Sequence, residues 1–210
     1  AMDVVSGMIA QGRIKMGMIV DGESSRNVLN ATMKRLKNPE LTEAAFRENF
    51  ATLTLGSGSA AIILGSAEAF PDAPRYRGGV HLAATEHSQL CLGTEESMKT
   101  DTKKLLIHGL ELAGKTFAKA TQTMGWSPSE LDELVLHQVS KVHTEQLCAM
   151  LGLDVEKAVK IYPTHGNVGP ASVPIVLSKA VEAGRVQKGS RVGLLGIGSG
   201  LNCSMCEVNW

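Results

Sequence analysis

Two short motifs, thirty residues apart, carry the side chains best suited to chemistry: Leu134-Val135-Leu136-His137-Gln138 and His165-Gly166-Asn167-Val168-Gly169-Pro170-Ala171-Ser172. Each sets one polar side chain at the end of a short apolar run. A histidine and an asparagine delivered together can give two hydrogen bonds to one carbonyl oxygen as it becomes an enolate or oxyanion. His137 and Asn167 are therefore the candidate catalytic donors. Gly166 and Gly169 bracket Asn167, and Pro170 is suited to open a helix, so backbone N–H groups and a helix N-terminus are expected to point at the same place. The Gly196-Ile197-Gly198-Ser199-Gly200 run fits a phosphate loop poorly, because a strand-like Cys-Ser-Met-Cys segment follows it. A turn that lets backbone approach a substrate, through Gly198 and Ser199, suits it better.

Other candidates are weaker. His165 stands beside Asn167, where a tight turn points it elsewhere, and His143 reads as a packing or surface histidine on the following helix. Gly56-Ser57-Gly58-Ser59-Ala60-Ala61 has dinucleotide-loop spacing, but Ile62-Ile63-Leu64 continues as a strand where that fold needs a helix. Cys203 and Cys206 lie three apart on a strand and so face opposite sides, which disfavours a shared metal or a disulfide. Cys91, four residues after His87, is an isolated thiol in a polar segment with no orienting third group. No metal site is expected.

The elements that must position these residues alternate between strand and helix. Apolar residues at Met2, Val5, Met8 and Ile9 predict a helix over 1–11 stopped by Gly12, and Met16–Val20 reads as a buried strand. Loop and short helices are expected over 24–50, a β-like stretch over 52–64, a strand over 79–85 and a polar crossover over 91–101. Leu106, Leu110, Ala113, Phe117, Ala120 and Met124 draw one stripe down a helix over 103–124. Ser127-Pro128-Ser129-Glu130 has the form of a helix cap. Strands follow over 133–136, 159–162, 191–195 and 203–208, with helices over 140–150 and 170–183. This alternation implies a layered α/β fold.

The bulk figures exclude more than they identify. Lys+Arg and Asp+Glu are both 21 in 210 residues, so there is no basic footprint for nucleic acid or a membrane surface. No apolar run is long enough to span a membrane. Four cysteines suit a reducing cytoplasm rather than a disulfide scaffold.

Taken together, Leu136-His137-Gln138, the run from Gly166 through Pro174, Gly196–Gly200 and Leu55-Gly56-Ser57-Gly58-Ser59-Ala60-Ala61 resemble the C-terminal portion of β-ketoacyl-ACP synthase III, in the thiolase superfamily. The stretch Gly79-Val80-His81-Leu82-Ala83-Ala84-Thr85-Glu86-His87 is more similar to the branch that joins two fatty-acyl thioesters head to head. The resemblance implies a thiolase-like αβαβα fold, with residues 1–100 the end of its first half and 101–210 its whole second half. It implies an acyltransferase of fatty-acid and lipid metabolism that makes a carbon–carbon bond by Claisen condensation, with acyl-CoA or acyl-ACP as substrate and no cofactor. It further implies a Cys-His-Asn site whose last two members are His137 and Asn167. The Cys would lie about six residues before Ala1, on a missing N-terminal polypeptide without which this chain is expected to be inactive. The completed subunits would form a homodimer. The alternative is a non-catalytic partner subunit that completes a condensing-enzyme dimer.

Overall fold

The computed structural model describes residues 1–210. Helix α1 (Met2–Ala10) leads into strand β1 (Met16–Glu23), followed by α2 (Arg26–Leu36), α3 (Glu43–Phe50) and β2 (Gly58–Gly65). Next come β3 (Arg75–Ala83), a short hairpin of β4 (Cys91–Gly93) and β5 (Met98–Thr100), and the long helix α4 (Thr102–Met124). The remainder is β6 (Glu133–Leu136), α5 (Lys141–Leu151), α6 (Tyr162–His165), α7 (Ser172–Glu182), β7 (Arg191–Gly198) and β8 (Asn202–Asn209).

The strands form two main sheets. β1 and β2 pair antiparallel from Met16↔Gly65 to Glu23↔Gly58. The larger sheet has the order β3-β8-β7-β6, antiparallel except for the parallel β6–β7 pair. One core cluster packs α4 and α5 against one face of this sheet, through Leu112, Ala120, Trp126, Leu134, Leu136 and Met205. A second packs α7 against the other face, through Val135, Val168, Val176, Ala180, Val192 and Leu194. Helix α7 also contacts β2, while α1 contacts β1, β2 and β3. The layers are therefore α, β, α, β, with α1 and α7 between the sheets. The division expected at residue 100 does not coincide with the sheets: β3 already pairs with β8 in the larger one.

Local chemistry accounts for the element ends. Asp101 caps α4 by accepting from Lys104 N–H at 3.0 Å, and Gly125 stops it in a left-handed conformation. The buried face of α4 is Gly109, Leu112, Ala113, Thr116 and Ala120, turned slightly from the expected stripe. Thr116 is tolerated there because its hydroxyl donates to the Leu112 carbonyl at 2.7 Å. Leu106 and Leu110 instead line a cavity.

Two expected elements are absent. Residues 127–130 make a turn in which the Ser127 hydroxyl donates to Glu130 at 2.9 Å, and no helix follows it. The strand expected over 159–162 does not form, because its polar groups are taken by a buried side chain. Gln138 Oε1 accepts from Ile161 N–H at 2.7 Å and Tyr162 N–H at 3.1 Å, and Gln138 Nε2 donates to the Val159 carbonyl at 2.5 Å. A strand neighbour would need those same groups.

Candidate active site

His137 follows directly from β6. Its backbone N–H donates to the Leu195 carbonyl at 2.8 Å, continuing the parallel ladder with β7 by one residue. That bond delivers the imidazole at the carboxyl end of the strand. Burial pushes its pKa down to about 4, opposed by a hydrogen bond with the Gly169 backbone and assisted by nearby His143. The ring is thus neutral at ordinary pH, and its single N–H can serve either the Gly169 backbone or a substrate oxygen.

Asn167 is held by the segment that leads into β2. Its N–H donates to the Thr54 carbonyl at 2.8 Å, and its carbonyl accepts from Gly56 N–H at 2.7 Å, forming an isolated parallel bridge with Leu55. Its side-chain Oδ1 accepts from Gly169 N–H at 3.1 Å. This fixes the carboxamide and leaves Nδ2, a double donor, without a protein partner. The bridge also explains the Gly-Ser-Gly-Ser run. A Cβ on Gly56 would stand 1.9 Å from the His165 carbonyl oxygen, and one on Gly58 would stand 2.9 Å from Ile175. Gly56 thus permits backbone contact between segments, and Gly58 permits close side-chain packing.

His137 and Asn167 lie in the wall between two cavities. The larger, of about 750 Å³, is lined by both residues and by Asp21, Gly169, Gly198 and Ser199. The smaller, of about 270 Å³, is also lined by His137, Asn167, Gly198 and Ser199, with Leu106, Leu110 and Leu147 giving it an apolar body. Both candidate donors, Gly198 and Ser199 therefore border both cavities, and Gly169 borders the larger. Gly166 is a correction. It lines neither cavity; its φ is +66° and a Cβ there would stand 2.6 Å from the Thr54 carbonyl oxygen. Its task is the close approach of two backbones.

His165 also lines neither cavity; its Nδ1 pairs with Thr164 Oγ1 at 2.8 Å. His143, read from sequence as a packing residue, lines the smaller cavity. Its Nδ1 lies 2.8 Å from the Ser140 hydroxyl, and burial lowers its pKa. The available signal was Ser140 as helix cap, which points the side chain three residues later back toward the strand end. Cys91 lines the same cavity, 3.4 Å from Thr100 Oγ1. Asp21 was missed altogether. One of its carboxylate oxygens is buried without a hydrogen-bond partner in the wall of the larger cavity. Glu23, two residues on, has its pKa raised by burial and by the Asp21 charge. Cys203 and Cys206 do face opposite cores.

Residues 121–210 match the family model for the 3-oxoacyl-[acyl-carrier-protein] synthase III C terminal. That segment is similar to the C-terminal domain of this synthase III family. It is 51% identical over 209 residues to an acyl-CoA:acyl-CoA alkyltransferase of Xanthomonas campestris, covering 100% of this chain and 62% of that protein. A Shewanella oneidensis protein of the same description is 34% identical, with 98% and 62% covered. A Deinococcus radiodurans β-ketoacyl-ACP synthase III is 26% identical, with 100% and 60% covered. Crystal structures of Xanthomonas campestris OleA superpose with the whole chain. A form with a cysteine replaced by serine, with bound lauric acid and lauroyl-CoA, gives a TM-score of 0.97 at 51% identity over 62% of its chain. A form with a histidine replaced by alanine gives 0.96. The mixed α/β architecture is thus the C-terminal portion of a thiolase-like fold, and the chain spans about 62% of the length of these two alkyltransferase relatives. No helix is long and apolar enough to cross a membrane.

Proposed function

We propose that this chain supplies the two-donor half of an acyltransferase that joins acyl thioesters by Claisen condensation, in the manner of an acyl-CoA:acyl-CoA alkyltransferase. The observation that carries the reading is the shared cavity wall: His137, from the end of β6, and Asn167, held by the segment leading into β2, both border the two spaces in which substrate would lie. The thiol nucleophile comes from a polypeptide segment outside this sequence, and the chain by itself is inactive. The thiolate attacks one acyl thioester, forms the acyl-enzyme and releases the first carrier thiol. A base then takes an α-proton from the second thioester. His137 N–H and Asn167 Nδ2–H hold the developing enolate oxygen, and the α-carbon attacks the acyl-enzyme carbonyl. Collapse returns the enzyme thiol and leaves a 3-oxoacyl thioester.

Gly169, Gly198 and Ser199 bring backbone against the thioester, and the apolar cavity between α4 and α5 takes an acyl chain. Acyl-CoA is the favoured substrate, on the likeness to the alkyltransferases. No cofactor or metal is needed. The working form is a homodimer of completed subunits in the cytoplasm.

The test is acyl-enzyme formation and product release in the completed protein. His137→Ala or Asn167→Ala is expected to slow condensation by about 10²–10³ while acylation persists. Unchanged product formation would overturn the assignment.

A further inference from the structure

The larger cavity has a second polar cluster, remote in sequence from the His137 and Asn167 motifs. It joins α1, β3 and β8 through Asp3, Tyr76, His81, Ser204 and Cys206, all of which border that cavity. The Tyr76 hydroxyl donates to Asp3 Oδ1, and His81 Nε2 meets Asp3 Oδ2. His81 Nδ1 lies 2.9 Å from the Ser204 hydroxyl, and the Tyr76 oxygen lies 3.5 Å from Cys206 Sγ. With Nε2–H given to Asp3, Nδ1 accepts from Ser204, so neutral histidine satisfies every partner and the chain of donors converges on Asp3. Burial works to raise the Asp3 pKa, but the bonds from Tyr76 and His81 outweigh it and hold it below the ordinary carboxylate value.

Ser204, His81 and Asp3 have the residue types of a hydrolytic triad, but the backbone argues against that use. Ser204 sits mid-strand between His81 of β3 and Gly196 of β7. Its neighbouring N–H groups are engaged in a sheet ladder on one side or the other, so no free pair stands ready for an oxyanion.

Helix α1 needs such a tie. It has no side-chain N-cap and no fully buried residue. Apart from apolar contacts such as Met2 against the second core and Val5 over Gly17, the Asp3 bonds are the only side-chain hydrogen bonds it makes to another element. Its first residues line the same cavity as His137 and Asn167.

We propose that Asp3, Tyr76 and His81 are positioning residues that clamp the first turn of α1 to the larger sheet and so set its distance from His137 and Asn167. The consequence for rate rests on the condensation reading above, in which the thiol must meet an oxygen held by those two donors. Misplacement of a reacting group by an ångström costs about 10²-fold in rate.

The experiment compares His81→Leu, His81→Gln and Tyr76→Phe with wild type in the protein assembled with its thiol-bearing segment, using acyl-CoA. His81→Leu is expected to lower kcat by about 10- to 100-fold with KM within about twofold, and His81→Gln, which can still donate to Asp3, to recover most of the loss. Amide hydrogen exchange on the same preparations is expected to quicken in the first turn of α1 and not in β6. Unchanged kcat in His81→Leu and Tyr76→Phe, or an equal loss in His81→Gln and His81→Leu, overturns the clamp. If wild type shows no thioester turnover, the condensation reading fails instead. Exchange in α1 then decides alone: unchanged rates refute the clamp and selective quickening supports it.

Discussion

The two sheets of this chain are made of similar apolar strands, yet only the larger is covered on both faces. β6 is buried along its whole length, with Leu134, Val135 and Leu136 at 0% exposure between α4 and α7. β1 alternates, and its outer face leaves Met18 and Val20 65% exposed, with Ile63 of β2 at 63%. One region completes its own core, while the other closes its inner face alone and presents an apolar surface of the kind that marks an interaction site. The candidate site lies at their junction, drawing His137 from the self-sufficient region and anchoring Asn167 on the incomplete one.

That contrast can be broken experimentally. The largest effect is expected from Gly56→Ala, which pushes a methyl group into the His165 carbonyl and separates the regions. It should lower stability by about 4 kcal/mol in urea unfolding. A variant that unfolds like wild type would show that the junction is not a constraint. Leu134→Ala, in the covered sheet, is expected to cost about 3 kcal/mol from lost burial and the cavity left behind. The third effect is acid sensitivity. Folding lowers the His137 pKa from 6.5 to about 4, so the unfolded chain binds the extra proton first. Its contribution is intact above pH 6.5 and is lost as pH falls toward 4, by about 3 kcal/mol. His137→Asn should flatten stability across that window relative to wild type, and equal slopes would refute the burial argument. Val20→Ser on the bare face should change stability by no more than about 0.5 kcal/mol. A cost near that of Leu134→Ala would show that the face is covered after all.

The larger sheet was the more legible region, for a physical reason. Leu134–Leu136 and Val192–Leu195 are continuous buried strands, and burial on both faces leaves an uninterrupted apolar run that reads directly. The 159–162 segment misled because its apolar residues do pack, while its backbone is satisfied by Gln138, a partner twenty-odd residues away that no local pattern announces. His137 and Asn167 were legible as donors at segment ends. What holds Asn167 was not, since a bridge to Leu55 depends on two distant backbones meeting. Gly166 was misread on the same account: a glycine beside a donor suggests substrate contact, whereas its positive φ and its closeness to Thr54 serve backbone approach. Asp21 and the Asp3 cluster came from tertiary placement alone, and His143 had only Ser140, as helix cap, to announce it.

The bridge at Leu55 also bears on how this site tolerates change. Positions 56 and 166 line neither cavity of the site, yet a saturation library scored for the catalytic geometry would admit almost nothing but glycine at either. Position 55, which supplies only backbone to the contact and whose side chain borders the smaller cavity, would admit other apolar side chains. A survey of intolerant positions would therefore rank two spacer residues alongside His137, and would pass over the segment that keeps Asn167 in register.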